Sequence, residues 1–179
     1  MKQAILVIDM LNDFVTGKLA CKNALSIIKP IQKLILTARQ KSVPIIYVND
    51  AHTNKDHELN LWGEHAIKST KGAEIIPQLK PFKKIDYVID KHHFSGFFDT
   101  KLQQVLKKLN IKALIVVGLQ AHICIAHTIA DAYQWGYEIT IPKDGICSFS
   151  KEIYRHSLKY FQKTYGAKIT TIDTIIKSL

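Results

Sequence analysis

The sequence predicts a three-layer α/β fold built on a parallel six-stranded sheet. Two observations carry this. Six short apolar runs recur along the chain, the pattern of strands buried on both faces, and amphipathic helical patterns alternate with them. No linker, repeat or low-complexity stretch interrupts the alternation, so residues 1–179 read as a single domain. A chain of this length buries roughly 70% of its unfolded surface, enough for a real core.

Gln3–Ile8 opens with the apolar run AILVI and closes at Asp9. Lys29–Lys41 reads as a helix, with Pro30 tolerated in its first turn and Ile31, Leu34, Ile35 and Ala38 on one face. Pro44–Asn49 is the second strand. Residues 50–83 read as mostly loop, with one short helix near Ala73–Leu79. Tyr87–Asp90 is a third, short strand. Asp99–Leu109 is an amphipathic helix that Asp99 or Thr100 can cap, with Leu102, Val105, Leu106 and Leu109 as its buried stripe. Ala113–Gly118 is a buried strand, followed by a helix over Ile123–Trp135. Tyr137–Ile141, Lys151–Tyr165 and Lys168–Thr171 read as strand, helix and strand, with a last short helix from Asp173.

Composition narrows the function classes. Apolar residues are 47% and charged residues 22%, which argues against a disordered or fibrous chain. The longest apolar run, Ala113 to Leu119, falls far short of the ~20 residues that span a bilayer. The first twenty residues read as a strand and an acidic turn with Asp9 and Asp13, not as a signal peptide. Cys21, Cys124 and Cys147 are an odd, scattered set, so a disulfide framework is not expected and a reducing cytoplasm is the natural setting. The net charge of +10 raises the question of a nucleic-acid or anionic-membrane partner. Yet the lysines come singly or in pairs, such as Lys83-Lys84 and Lys107-Lys108, without interleaved aromatics. A solvated lysine-rich surface is the preferred reading, with neither nucleic acid nor membrane as partner.

In open parallel sheets, ligands bind outside the carboxyl ends of the strands. Asp9 closes the first strand, Asp50 and His52 follow the second, Lys91 follows the third, and Cys124 lies just past the fourth. Four strands thus deliver reactive side chains to one edge. Cys124 at a helix start, with Lys91 as a nearby cation, is expected to have a lowered thiol pKa and to act as nucleophile. Cys21 and Cys147 read as buried structural cysteines. Asp9, desolvated at the end of an apolar strand, is a plausible proton acceptor from that thiol. Lys91 is either a plain ion-pair partner of Asp9 or the cation that keeps Asp9 and the thiolate charged; the sequence leaves both open.

Asp50-Ala51-His52 puts two metal-capable side chains on one side of an extended segment, and His65 adds a third. One carboxylate and two imidazoles suit Zn²⁺ or another divalent ion. His57, His92, His93, His122 and His127 read as surface or capping residues. A Cys124–His127 dyad, one helical turn apart, ranks low because that spacing seldom aims the ring at the sulfur. No GxGxxG or GxxxxGK[ST] supports a nucleotide site.

Taken in order, Asp9-Met-Leu-Asn-Asp-Phe14, Asp50-x-His52, Trp62-Gly-Glu-His65, Lys91 with Phe94-Ser-Gly-Phe97, and Gly118-Leu-Gln-Ala-His-Ile-Cys124 form an arrangement. It resembles the isochorismatase-like cysteine hydrolases, a superfamily that includes nicotinamidases, N-carbamoylsarcosine amidases and isochorismatases. The resemblance implies a Rossmann-like isochorismatase-like hydrolase fold and a catalytic triad of Asp9, Lys91 and Cys124. It further implies metal ligands at Asp50, His52 and His65, usually for zinc, and a substrate pocket including Phe14, Trp62 and Phe97. A non-proline cis bond at Leu119–Gln120 and an oxyanion hole from the N–H groups of Gln120 and Cys124 also follow from it. The implied activity is hydrolysis of a small amide through a Cys124 thioester, by a homo-oligomer, a dimer or tetramer.

Gln120-Ala121 stands where many members have Ala-Thr, and the Trp62–His65 segment lacks the prolines common in nicotinamidases. An N-carbamoylsarcosine-amidase-like activity therefore stands beside a nicotinamidase-like one. The metal ligands argue against isochorismatase itself, which acts on a vinyl ether. A non-catalytic small-molecule-binding protein on the same fold is the rival from another class, against which the intact Asp9, Lys91 and Cys124 set speaks.

Overall fold

A computed structural model describes residues 1–179. Six strands, β1 (Gln3–Ile8), β2 (Ile45–Asp50), β3 (Tyr87–Lys91), β4 (Ala113–Gly118), β5 (Glu138–Pro142) and β6 (Lys168–Thr170), form one parallel sheet in the order β3-β2-β1-β4-β5-β6. Alternating side chains divide the apolar strands between two faces. Ile5, Val7, Tyr47, Ile115 and Val117 face the helices α2 (Ala24–Gln40) and α7 (Ile172–Ser178). Leu6, Ile8, Val48, Leu114 and Val116 face α4 (Leu102–Lys108), α5 (Cys124–Gln134) and α6 (Lys151–Tyr165). The three-layer α/β fold expected from the apolar runs is the fold observed.

The differences lie at helix ends and in the long loop. α2 begins at Ala24, so Pro30 sits inside the helix rather than in its first turn; Ala24, Ile27 and Ile28 are buried by the added length. α4 begins only at Leu102, because Asp99 takes a left-handed φ of 52° that no helix accepts. Thr100 supplies the hydrogen-bonding oxygen there, accepting from Leu102 N at 3.1 Å. Two short helices interrupt segments read as turn or loop: α1 (Asn12–Val15) and α3 (Leu59–Trp62). Two 3₁₀ turns, Lys71–Ala73 and Pro77–Leu79, replace the helix expected near Ala73–Leu79. No helix is long and apolar enough to cross a membrane.

Candidate active site

The strand order reverses between β1 and β4, the place where the crevice of an open α/β sheet forms. Asp9 leaves β1 there with φ 53°, a left-handed conformation that costs a non-glycine residue free energy and persists only under outside constraint. The constraint is visible: Asp9 N donates to Val48 O at 3.1 Å, and Asp9 Oδ1 accepts from Asp50 N at 2.8 Å. Gly118, opposite Ile8 at the end of β4, has φ +120°, and a Cβ there would lie 2.0 Å from Ile8 O. Only glycine lets the two strand ends approach this closely.

Lys91 is fully buried, and its register opposite Asp50 on β2 sets its position. Its ammonium hydrogen-bonds Asp50 Oδ1, lies 2.9 Å from Asp9 Oδ2 and 3.5 Å from Cys124 Sγ. One buried cation therefore faces two buried carboxylates and a thiol. Burial opposes the charge on Lys91, and Asp50 and Asp9 override it, holding the ammonium well above its ordinary pKa. Burial also opposes ionisation of Asp50, and Lys91 overrides it and lowers that pKa. Asp9 goes the other way: burial, reinforced by Asp50, pushes it up to about 6. Burial likewise pushes the Cys124 thiol well up, with Lys91 only partly opposing it. This is opposite to the lowered thiol expected from the sequence: desolvation outweighs Lys91, and the Asp9 carboxylate lies beside the sulfur.

Cys124 begins α5 after a turn held by Gly118 N to Gly145 O (2.9 Å), Leu119 N to Ile8 O (3.0 Å) and Ala121 N to Cys147 O (2.9 Å). The N–H groups of Gln120 and Cys124 donate to no protein acceptor. All peptide bonds are trans, so the cis bond expected at Leu119–Gln120 is not present. The turn is made instead by Gly118 and by Ile123, with φ −120° and ψ −98°.

Asp50, His52 and His65 converge beside this cluster together with Glu58, their donor atoms within 4.8 Å of one another. His52 Nε2 is buried without a hydrogen-bond partner, 3.7 Å from Asp50 Oδ2 and 3.6 Å from Glu58 Oε2. The far side of each ring is held: His52 Nδ1 lies 2.9 Å from Asp56 Oδ2, and His65 Nδ1 2.7 Å from Gly63 O. Such outer contacts fix the tautomer that leaves Nε2 for a metal. Two carboxylates and two oriented imidazoles fit a divalent cation. Burial opposes charge on His52, but Asp50, Asp56 and Glu58 raise its pKa to about 9; burial, with Asp50, raises Glu58 to about 7. A metal bound there would have to displace the protons that His52 and Glu58 hold, so its binding would depend on pH. Glu58 escaped sequence reasoning because it lies in a stretch without periodicity; the available signal was an acid six residues after His52. Asp13, also buried, anchors the loop by accepting from Ala66 N at 2.8 Å, next to His65.

The crevice above Cys124 is narrow, with a cavity volume of about 30 Å³. Phe14 and Trp62 line it as expected, and Leu19, Phe94, Ile123 and Phe149 complete its apolar wall. Trp62 stacks on Phe149 with ring centroids 6.4 Å apart. Phe97 does not line it: that ring is buried in the core against Tyr137, and Phe94, three residues earlier, takes the wall position. His127 is exposed, with Nδ1 2.8 Å from Ile123 O, and His122 Nδ1 lies 2.8 Å from Ser148 Oγ, so neither pairs with Cys124. Cys21 and Cys147 are buried free thiols with sulfurs 3.6 Å apart.

The isochorismatase domain family matches residues 3–174, and the chain belongs to that family, a family of hydrolases. An N-carbamoylsarcosine amidase structure from Thermoplasma acidophilum superposes with a TM-score of 0.91 at 37% identity, covering 97% of this chain and 98% of that one. Nicotinamidase PncA from Bacillus subtilis gives 0.90 at 30% identity, covering 95% and 99%. An uncharacterized isochorismatase family protein of Bacillus subtilis, YaaI, is 34% identical over 183 residues, 98% of this chain and 97% of its own.

Proposed function

We propose that this chain is a cysteine amidohydrolase that releases ammonia from a small primary amide, with a nicotinamidase-like substrate. The observation that carries the reading is the single buried Lys91 shared by Asp9, Asp50 and Cys124. Asp9 takes the Cys124 proton as the sulfur attacks the amide carbon. The developing oxyanion sits against the N–H groups of Gln120 and Cys124, where one such donor is worth about 2.7–4 kcal/mol of barrier. Asp9 returns the proton to the leaving nitrogen, ammonia departs, and a thioester remains. Asp9 then deprotonates water, which attacks the thioester and frees the thiol, so the sum is amide plus water giving acid plus ammonia. Lys91 keeps Asp9 in place as it gains and loses the proton.

Asp50, His52, Glu58 and His65 would hold a divalent metal, with Zn²⁺ the ion their chemistry suits best. When bound, it supplies a Lewis-acid anchor for one end of the substrate or for water. The likeness to an N-carbamoylsarcosine amidase at 37% identity favours a second reading, hydrolysis of an N-carbamoyl compound at the same thiol.

The test is ammonia release from nicotinamide and from N-carbamoylsarcosine by Zn²⁺-loaded protein, with Cys124→Ala as control. Release from nicotinamide that falls about 10³-fold or more in the variant supports the reading. Release only from the carbamoyl compound supports the second. Equal activity in Cys124→Ala would sink covalent catalysis, and no release from either substrate would favour a binding protein on this fold.

A further inference from the structure

Every ionisable side chain that lines the crevice has a task in the proposed reaction, and two other polar side chains, Gln120 and Trp62, have none. Asp9 and Cys124 do the chemistry, and Asp50, Glu58 and His65 belong to the metal-ligand cluster. Gln120 also lines the crevice, is only 6% exposed, and leaves both its amide nitrogen and its amide oxygen buried without a partner. The Cys21 thiol lies beside it, and a thiol is at most a weak hydrogen-bond partner that leaves the other sites of the amide open. A primary amide offers two donors and two acceptor sites, and burying all of them unpaired costs stability. The cost is met when a ligand supplies the partners. Trp62 Nε1, across the same crevice, is a second buried donor without a partner. The remaining wall, with Phe14, Phe94 and Phe149, is aromatic and suits a flat substrate.

We propose that the Gln120 side chain is a specificity-determining group that pairs with a neighbouring N–H and C=O on the acyl part of the substrate. Among small, flat primary amides, those that carry a lactam- or ureide-like edge are then bound more tightly than nicotinamide, whose ring offers one acceptor and no donor. Amides with a wholly apolar acyl part bind less well, because they leave Gln120 buried and unpaired. This rests on the amidohydrolase reading for the reaction but on Gln120 alone for the selection. The backbone N–H of the same residue faces the oxyanion, so the side chain begins next to the reacting carbonyl.

Binding to full-length, Zn²⁺-loaded Cys124→Ala protein tests the proposal without requiring turnover. The probes are benzamide and two oxo-dihydropyridine carboxamides, whose ring N–H and C=O lie either beside the carboxamide or across the ring from it. Calorimetry should show at least one lactam carboxamide binding tenfold or more tighter than benzamide. Adding Gln120→Leu should shrink that preference to within threefold, while circular dichroism reports whether the fold persists. If Gln120→Leu does not fold, Gln120→Glu, which keeps the acceptor and loses the donor, should cut the preference by at least half. Equal binding of lactam and apolar amides, or a preference unchanged by either substitution, overturns the proposal, as does failure of every probe to bind. Lack of ammonia release by the wild type, with the binding preference intact, would instead count against the amidase reading and leave the Gln120 selection supported.

Discussion

Two clusters meet at Asp50 and are held in different ways. Asp9 and Lys91 sit at the ends of β1 and β3 and Cys124 after the turn that follows β4, and their relative positions are fixed by sheet register, by the close approach of Ile8 and Gly118 and by the hydrogen bonds of that turn. His52, Glu58 and His65 hang from the segment after β2, which has only one short helix and is anchored by side chains such as Asp56 and Asp13. The first cluster is preorganised by backbone pairing and the second by hydrogen bonds from outside the donor set. Removing the shared cation should therefore act on stability in the first cluster, and disturbing the second should act on metal affinity.

The largest effect should come from Lys91→Met. It leaves Asp9 and Asp50 as two buried carboxylates without their cation, a change that costs about 3–5 kcal/mol. Chemical denaturation should show a loss of this size together with loss of turnover. A stable, well-folded variant would mean the cluster is not the electrostatic unit described. Asp9→Asn should slow turnover by about 10²–10⁴-fold with a much smaller change in stability.

The same residue sets the pH profile. Asp9 must be ionised to take the thiol proton, and burial has raised its pKa to about 6, so kcat/KM should rise as pH increases through about 6. Because burial holds the Cys124 thiol up, the profile should stay flat through neutral and mildly alkaline pH. An acid limb near 4, or activity that grows only as a thiol titrates, would assign the base wrongly.

On the other side of the comparison, Asp56→Asn should lower Zn²⁺ affinity about 10–100-fold in chelator competition, since it orients His52 from outside the donor set. The fold should persist. Zinc binding should also tighten with rising pH, as the proton on His52, favoured up to about 9, is released. The smallest effects separate two neighbouring rings. Phe94→Leu should raise KM, while Phe97→Leu should cost about 1 kcal/mol of stability and leave KM unchanged, because only Phe94 reaches the crevice.

The corrections follow one physical division. β1, β4 and α6 were legible residue for residue, because a strand or helix packed in a core must repeat its apolar positions. Placing Asp9, Asp50, Lys91 and Cys124 at one edge needed only the rule that parallel strands end together. Glu58 was not legible, since its segment has no period and its role comes from folding back toward His52. Phe97 and Phe94 share a short aromatic stretch, and which one faces the crevice depends on how the chain turns after β3.

The chain by itself determined the layers, the parallel sheet and the edge where its reactive groups gather, because apolar periodicity and strand direction are local properties. Only the tertiary structure decided the upward shift of the Cys124 thiol, the fourth candidate metal ligand and the unpaired amide of Gln120. Each of those depends on burial among neighbours distant in sequence, whereas the desolvation of Asp9 was already legible from the apolar strand it ends.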